Sequence, residues 1–343
     1  MTQRHGQIAL GVLWLLDGLL QFQSFMYTHA FVRDVLAVNA TGQPEPIATS
    51  ILSLTAFYGN DLPLWNSLAA ELQCAIGLGL IVSPRSVRPA LAVGLVWSLI
   101  VWWAGEGFGG ILTSSPLSPL MGAPGAALLY GLMGVLMWPS GASRERPPAA
   151  SGTPGGRTGG RSGGRSGGRT GRRTGGRTGE LLWSALWLEA AVLWSSSAPG
   201  SPAAELRSMA AASPQPLRGW DRTLAAAVHG SGATVVSLLM LVSLMIGLGV
   251  WTRLRKVALI AGIALSACYW VFGQALGGPL WSGTSIDVNS APLVVLLAAC
   301  LRPSPLPRWA RTRERRRERW GRASTSTRTA TVRPREMRPP SGL

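Results

Sequence analysis

Cysteine is scarce: the chain has Cys74, Cys268 and Cys300 and no others. The count is odd, each falls inside an apolar stretch, and no two form a Cys-x-x-Cys pair. This excludes a disulfide framework, a cysteine zinc site and a thioredoxin-like motif, and leaves the three as small apolar residues. Histidine is as rare, with His5, His29 and His229. Bis-histidine haem ligation needs two imidazoles facing one another inside a bundle. His29 and His229 fall in outer polar segments, so haem is not expected. No His-Glu-x-x-His helix, P-loop or Ser/His/Asp set is present.

Lys and Arg are absent from a series of apolar blocks, at 7–27, 63–82, 90–105, 122–138, 181–194, 232–251, 257–274 and 290–301. Most are roughly 16–21 residues long, enough to cross a hydrocarbon core about 30 Å thick. The first block is too long for a signal peptide, is interrupted by Asp17 and lacks a small-x-small cleavage site, so it reads as a membrane helix. The net charge of +17 is concentrated in two places. Residues 143–179 hold nine Arg and one Glu, and residues 302–343 hold thirteen Arg and three Glu, leaving a nearly neutral body.

That body repeats itself. Trp102, Gly105, Gly109 and Gly110 match Trp270, Gly273, Gly277 and Gly278 at one offset. The same offset carries Gly94, Ser98, Ser114 and Ala123-Pro124 onto Gly262, Ser266, Ser282 and Ala291-Pro292. Ile76-Gly77-Leu78-Gly79 matches Ile246-Gly247-Leu248-Gly249 two residues out of that register. A register held over some thirty residues reads as an internal duplication. The expected fold is an all-α integral membrane protein of eight transmembrane helices, built as two tandem, parallel four-helix-bundle repeats, 1–142 and 180–303. Between them, 143–179 repeats Arg-Thr-Gly-Gly and Arg-Ser-Gly-Gly, an expected disordered linker reaching roughly 30–35 Å. Residues 304–343 form a basic tail.

Basic residues favour the cytoplasmic side. Arg4, the Arg85/Arg88 turn, the linker, the Arg253–Lys256 turn and the tail share one side if the chain crosses eight times. The loops 107–121 and 275–289 have no Lys or Arg. The expectation is a multi-pass protein of the cell membrane with both termini cytoplasmic. Trp65, Trp102, Trp138, Trp183, Trp194, Trp251 and Trp270 stand near block ends, as an interfacial belt would place them. Linker and tail are expected to meet anionic lipid head groups, at roughly 1 kcal/mol per basic residue, and nucleic acid is not an expected partner. Polar segments between the first two blocks of each half carry helical stripes: Ile47, Ile51, Leu54 and Tyr58, then Trp220, Leu224 and Val228.

Four acids stand in or against the apolar blocks. Asp17 and Glu189 occupy equivalent mid-block positions; Glu71 faces Leu241 in the repeat, and Glu106 faces Gln274. An ionised carboxylate at a helix centre costs about 2.5–3.5 kcal/mol or more. One reading makes Asp17, Glu71, Glu106, Glu189 and Gln274 a polar pocket for a ligand or proton; the other makes Asp17 and Glu189 neutral acids that tie the bundles together. Gly105, Gly107, Gly109 and Gly110, with Gly273, Gly277 and Gly278, are expected to serve helix packing or an outer turn. Gly107-x-Gly109 follows no strand and is not a dinucleotide fingerprint. No residue is assigned a catalytic or metal-binding role.

Trp102-x-x-Gly105-Glu106-Gly107-Phe108-Gly109-Gly110-Ile111-Leu112-Thr113, followed by Gly122-Ala123-Pro124-Gly125-Ala126, resembles duplicated actinobacterial membrane proteins of unknown function. Their four-helix unit is similar to DoxX-like proteins. The resemblance covers about 1–139 and 180–303. It implies a role in membrane redox chemistry, where DoxX-like proteins include a thiosulfate:quinone oxidoreductase subunit, and a quinone as ligand. The leading expectation is therefore a non-catalytic subunit or partner of a redox or envelope complex whose polar pocket takes a quinone or another small molecule. A proton-coupled transporter using Asp17 and Glu189, and a purely structural scaffold, are the alternatives.

Overall fold

A computed structural model describes residues 1–113, 117–139, 176–277 and 287–301. The tail, Gly278 and most of the expected linker lie outside the described residues. All regular structure among the described residues is helical. Helix α1 is Gln3–Leu20, capped by the Thr2 hydroxyl, which accepts the His5 N–H. A single turn, α2 (His29–Phe31), runs into a wider coil at Val32–Leu36 and a tight turn at Ala37–Ala40. Then follow α3 (Glu45–Asn60), α4 (Leu62–Val82), α5 (Val87–Ile100) and α6 (Ala126–Leu136). The rest comprises α7 (Arg177–Ser196), α8 (Ser201–Ala212), α9 (Leu217–His229), α10 (Gly232–Gly249), α11 (Arg255–Cys268) and α12 (Ser290–Leu301).

Four helices are long and apolar enough to cross a membrane: Leu62–Val82, Val87–Gly105, Gly232–Gly249 and Arg255–Gly273. They make this a multi-pass membrane protein. The other four expected blocks are also helical. Helices α1 and α7 have the length, at 18 and 20 residues, but Arg4, Asp17, Glu180 and Glu189 make them more polar. Helices α6 and α12 are apolar but only 11 and 12 residues long.

Lipid tails are as apolar as leucine, so helices in a bilayer associate through close backbone approach and interhelical hydrogen bonds. Both devices are present. A Cβ on Gly11 would lie 2.8 Å from the Gly77 carbonyl oxygen, so α1 and α4 touch backbone to backbone. Between α7 and α10, the Ser184 hydroxyl donates to the Gly247 carbonyl at 2.7 Å and Trp183 Nε1 donates to the Ile246 carbonyl at 3.2 Å. One buried cluster runs through both halves, including Leu10, Trp14, Leu129, Trp183, Leu293 and Leu297. Helix α12 packs on α1 and α6 as well as on α7 and α11.

At the end opposite the glycine-rich turns, basic side chains close helix C-termini. Arg4 donates to the carbonyls of Leu80 and Ile81, and Arg255 donates to the Leu301 carbonyl at 2.9 Å while pairing with Glu180 at 2.5 Å. These are the carbonyls a helix end leaves without an internal partner.

Three expectations are corrected. Helix α7 begins at Arg177, so 177–179 belong to it and not to the linker. The second polar segment folds as two helices, and α9 buries Leu217, Asp221 and Ala225 while Trp220 is 54% exposed. Of the expected stripe, Leu224 and Val228 do pack, partly buried, against a core cluster, and only Trp220 turns outward. Cys268 is exposed, whereas Cys300 is buried.

Candidate functional site

Helix α5 does not stop at Ile100. It widens into a π-type turn at Val101–Gly105, a distortion that often marks functional positions. Trp102 donates its Nε1–H to the Pro124 carbonyl at 2.9 Å and stands edge-on to Phe108. The next four residues, Gly107–Gly110, all have positive φ, including Phe108 at 57°. Glycine is required here for more than its φ: a Cβ on Gly109 would lie 2.1 Å from the Pro124 carbonyl oxygen. The α2–α3 strap is tied to this turn, as Asn39 donates to the Gly105 carbonyl at 2.8 Å and Gln43 to the Gly107 carbonyl at 2.6 Å. The expected outer-turn role of Gly107, Gly109 and Gly110 has this geometry, while Gly105 sits within the widened turn itself.

The turn delivers Glu106 to the start of α6. Gly125, the residue before that helix, has no side chain to cap it. Glu106 does so from across the fold, its Oε1 accepting the Ala127 N–H at 3.0 Å. Its Oε2 is buried without a hydrogen-bond partner.

Asp17 is 3% exposed, on the inner face of α1. It accepts the Val288 N–H at 3.0 Å. The Tyr130 hydroxyl adjoins it and has no well-formed hydrogen bond elsewhere. Asp287 and Glu106 are its charged neighbours. The Asp287 carboxylate accepts the Asn289 N–H at 2.7 Å. Burial pushes the Asp287 carboxyl up from its ordinary value, and the Asn289 N–H partly offsets this. Asp17, Glu106 and Asp287 therefore form one acidic group, and no described basic residue pairs with any of them.

Beside this group is a cavity of about 320 Å³ under α3. Its wall is apolar and aromatic, with Phe31, Phe57, Tyr58 and Trp65, and its floor is polar, with Gln21, Gln73, Glu106 and Asp287. Phe57, Leu68 and Ile100 on its lining are also exposed on the outer surface, so its mouth is apolar. A smaller pocket of about 50 Å³ adjoins it, sharing Gln21, Gln73, Trp97 and Asp287 and reaching Asp17 and Tyr130. Gln73 is 7% exposed and lines both spaces without a hydrogen bond among the described residues. Trp97 Nε1 is likewise buried without a partner.

The other expected site residues lie elsewhere. Glu71 is exposed, on the same face of α4 as Leu64, Leu68 and Leu78. It lines neither cavity, because two residues separate it from Gln73 and a helix turns about 200° in that distance. Glu189 also lines neither cavity, and both its oxygens are buried without a partner among the described residues. It has no charged neighbour comparable to those of Asp17, so the two equivalent acids do not share a site. Gln274 repeats the backbone of Glu106, with φ −127° and ψ 8° against −126° and 3°. It donates to the Ser290 hydroxyl at 3.3 Å, at the start of α12. The space beside it is about 30 Å³, a tenth of that beside Glu106. A Cβ on Gly273 would lie 2.1 Å from the Leu120 carbonyl oxygen, and Gly277 ends the turn that follows.

Asp287, Gln73, Gln21 and Trp97 were not singled out in the sequence. The signal for the two glutamines was available: each is an amide inside an apolar block of the sequence, and Gln21 follows Asp17 by one helical turn. Asp287 had only a weaker one, an acid two residues ahead of the Asn289-Ser290 helix start. No protein-family model matches the chain, and no curated protein or solved structure matches it either.

Proposed function

We propose that this membrane protein binds a small amphiphilic molecule in the cavity beneath α3 and acts as a non-catalytic partner of a membrane complex. The observation that carries the reading is the cavity itself: an apolar mouth and wall leading to a polar floor with Gln73, where the Trp97 N–H and Glu106 Oε2 are buried without a partner among the described residues. Buried polar groups are seldom left unmatched, so a ligand head group that supplies the missing partners fits this floor. A quinone carbonyl could accept from Trp97 and Gln73, in keeping with the DoxX-like resemblance; another small amphiphile would serve equally.

We further propose that the chain crosses the membrane eight times as two parallel repeats in the cell membrane, both termini on the cytoplasmic side. Support comes from matching backbone at equivalent positions, with Phe108 at φ 57°, ψ 31° and Leu276 at φ 59°, ψ 32°. The contacts of α1 with α4 recur between α7 and α10. In this reading one repeat keeps an open site and the other, with its 30 Å³ remnant, supports it.

Native mass spectrometry with lipid extraction tests the binding role. The gently purified wild type should carry a small molecule that Gln73→Leu/Trp97→Phe lacks. An empty wild-type protein that also takes up no amphiphile from solution would overturn it.

A further inference from the structure

The floor of the cavity is specific about charge. Glu106 and Asp287 line the large space and Asp17 the adjoining one. No Lys, Arg or His is among the described residues lining either, and the neighbouring stretches 114–116 and 278–286 contain none in sequence. Backbone N–H groups do reach each acid: those of Ala127 and Ala126 for Glu106, of Val288 for Asp17 and of Asn289 for Asp287. Those bonds leave Glu106 Oε2 bare and supply no positive charge. Removing several carboxylates from water without a counter-charge is strongly unfavourable.

Two observations independent of the acids point to a ligand. The Gln73 side chain, over nine-tenths buried, lines both spaces with no hydrogen-bond partner among the described residues. Five aromatic residues line the space: Phe31, Phe57, Tyr58 and Trp65 on the wall and Trp97 at the floor. Aromatic faces carry the negative side of the ring quadrupole, and groups of them beside carboxylates recognise ammonium and other diffuse cations. An anionic head group would face like charge. A neutral one would leave the acids to be neutralised by protonation alone.

We infer that the occupant is a cationic amphiphile, one positive centre on an apolar body, held by the aromatic wall with Glu106 and Asp287 as its counter-charges and the Gln73 amide as an additional polar contact. This rests on the cavity being a binding site, and specifies what it binds. A space of about 320 Å³ is at the lower end of the range for small-molecule pockets, so the body is compact.

The test uses the full chain in nanodiscs, with equilibrium dialysis of three probes: tetraphenylphosphonium, the near-isosteric anion tetraphenylborate, and neutral decylubiquinone. The expected result is saturable phosphonium binding at least tenfold tighter than that of either other probe. Asp287→Asn keeps an acceptor for Asn289, and Glu106→Gln keeps one for Ala127; each should weaken the phosphonium at least tenfold. Glu71→Gln, which alters an acid outside the cavity, should leave it unchanged. Thermal melts confirm that each variant is folded, and Ala104→Leu, which narrows the cavity and keeps every acid, gives an independent loss of binding. Equal or tighter binding of borate or quinone overturns the cationic assignment and leaves the binding role standing. Phosphonium binding unaffected by folded Asp287→Asn and by Ala104→Leu also overturns it. Failure of all three probes overturns the binding role itself.

Discussion

The Asp17 carboxylate accepts the Val288 N–H at 3.0 Å, joining residues 271 apart in the chain. The contact ties the first helix to the turn that begins the last described one, and it holds Asp287 beside Glu106. Asp17 is thus both a structural acceptor and part of the acidic floor, so the sequence readings of pocket acid and tie between halves are not exclusive at this position.

Substituting Asp17 separates those roles. Asp17→Ala leaves the Val288 N–H buried without a partner, a loss of about 1–3 kcal/mol. Asp17→Asn keeps an acceptor for the Val288 N–H, so its unfolding midpoint should stay close to wild type. Thermal unfolding of both variants in one detergent measures the difference; equal losses would mean that the charge, and not the hydrogen bond, matters.

Gly109 and Gly105 should differ sharply. Alanine in the left-handed region costs roughly 1–2 kcal/mol, and at 109 its Cβ would also meet the Pro124 carbonyl oxygen at 2.1 Å. At 105 the nearest atom is Val101 Cγ1 at 3.2 Å and φ is not positive. Gly109→Ala should therefore abolish monodisperse protein on size exclusion, while Gly105→Ala should be recovered in near wild-type amount.

Glu205 on α8 accepts the Ser118 hydroxyl at 2.6 Å, linking the loop before α6 to the second half of the chain. Burial raises its pKa and the Ser118 hydrogen bond partly lowers it again. A raised carboxyl pKa favours folding in the protonated form. Its contribution is complete below the unfolded value, about 4.3, and is lost as pH rises through the folded one. Unfolding midpoints measured across that window should fall with pH. Glu205→Gln should remove that part of the slope, with Tyr269 the other titratable group facing it. Ser118→Ala should move the fall to higher pH.

Arg255 serves Glu180 and the Leu301 carbonyl together. Arg255→Ala leaves both without a cation, and a partly buried pair broken on one side costs up to about 3–5 kcal/mol. Adding Glu180→Gln should recover part of that loss, and a double-mutant cycle in chemical denaturation measures the coupling. Strict additivity would show the pair to be energetically idle.

The positions of the helices were legible because apolar blocks without basic residues have few other fates. The α3 stripe of Ile47, Ile51, Leu54 and Tyr58 was legible too, since Ile51 is buried and its fellows partly so. The α9 stripe was legible at Leu224 and Val228 but not at Trp220, which is exposed while Asp221 takes the inward position, accepting from the buried Ser213 hydroxyl at 3.0 Å. Glu71 looked like a pocket acid by depth alone, but helical phase places it with exposed leucines. What no local pattern contains is proximity: Asp17, Glu106 and Asp287 come from three distant segments, and only the packing of α12 against α1 and α6 brings them together.

The Asp17–Val288 bond also sets a timetable. At roughly 5–20 residues per second, a ribosome takes about a quarter to nearly a full minute to travel from one residue to the other. Throughout that interval the first helix is already made and its acid has no Val288 to meet. The newborn first half must wait with an unanswered carboxylate, shielded by water, by a proton or by an insertion factor, until the turn before α12 arrives to meet it.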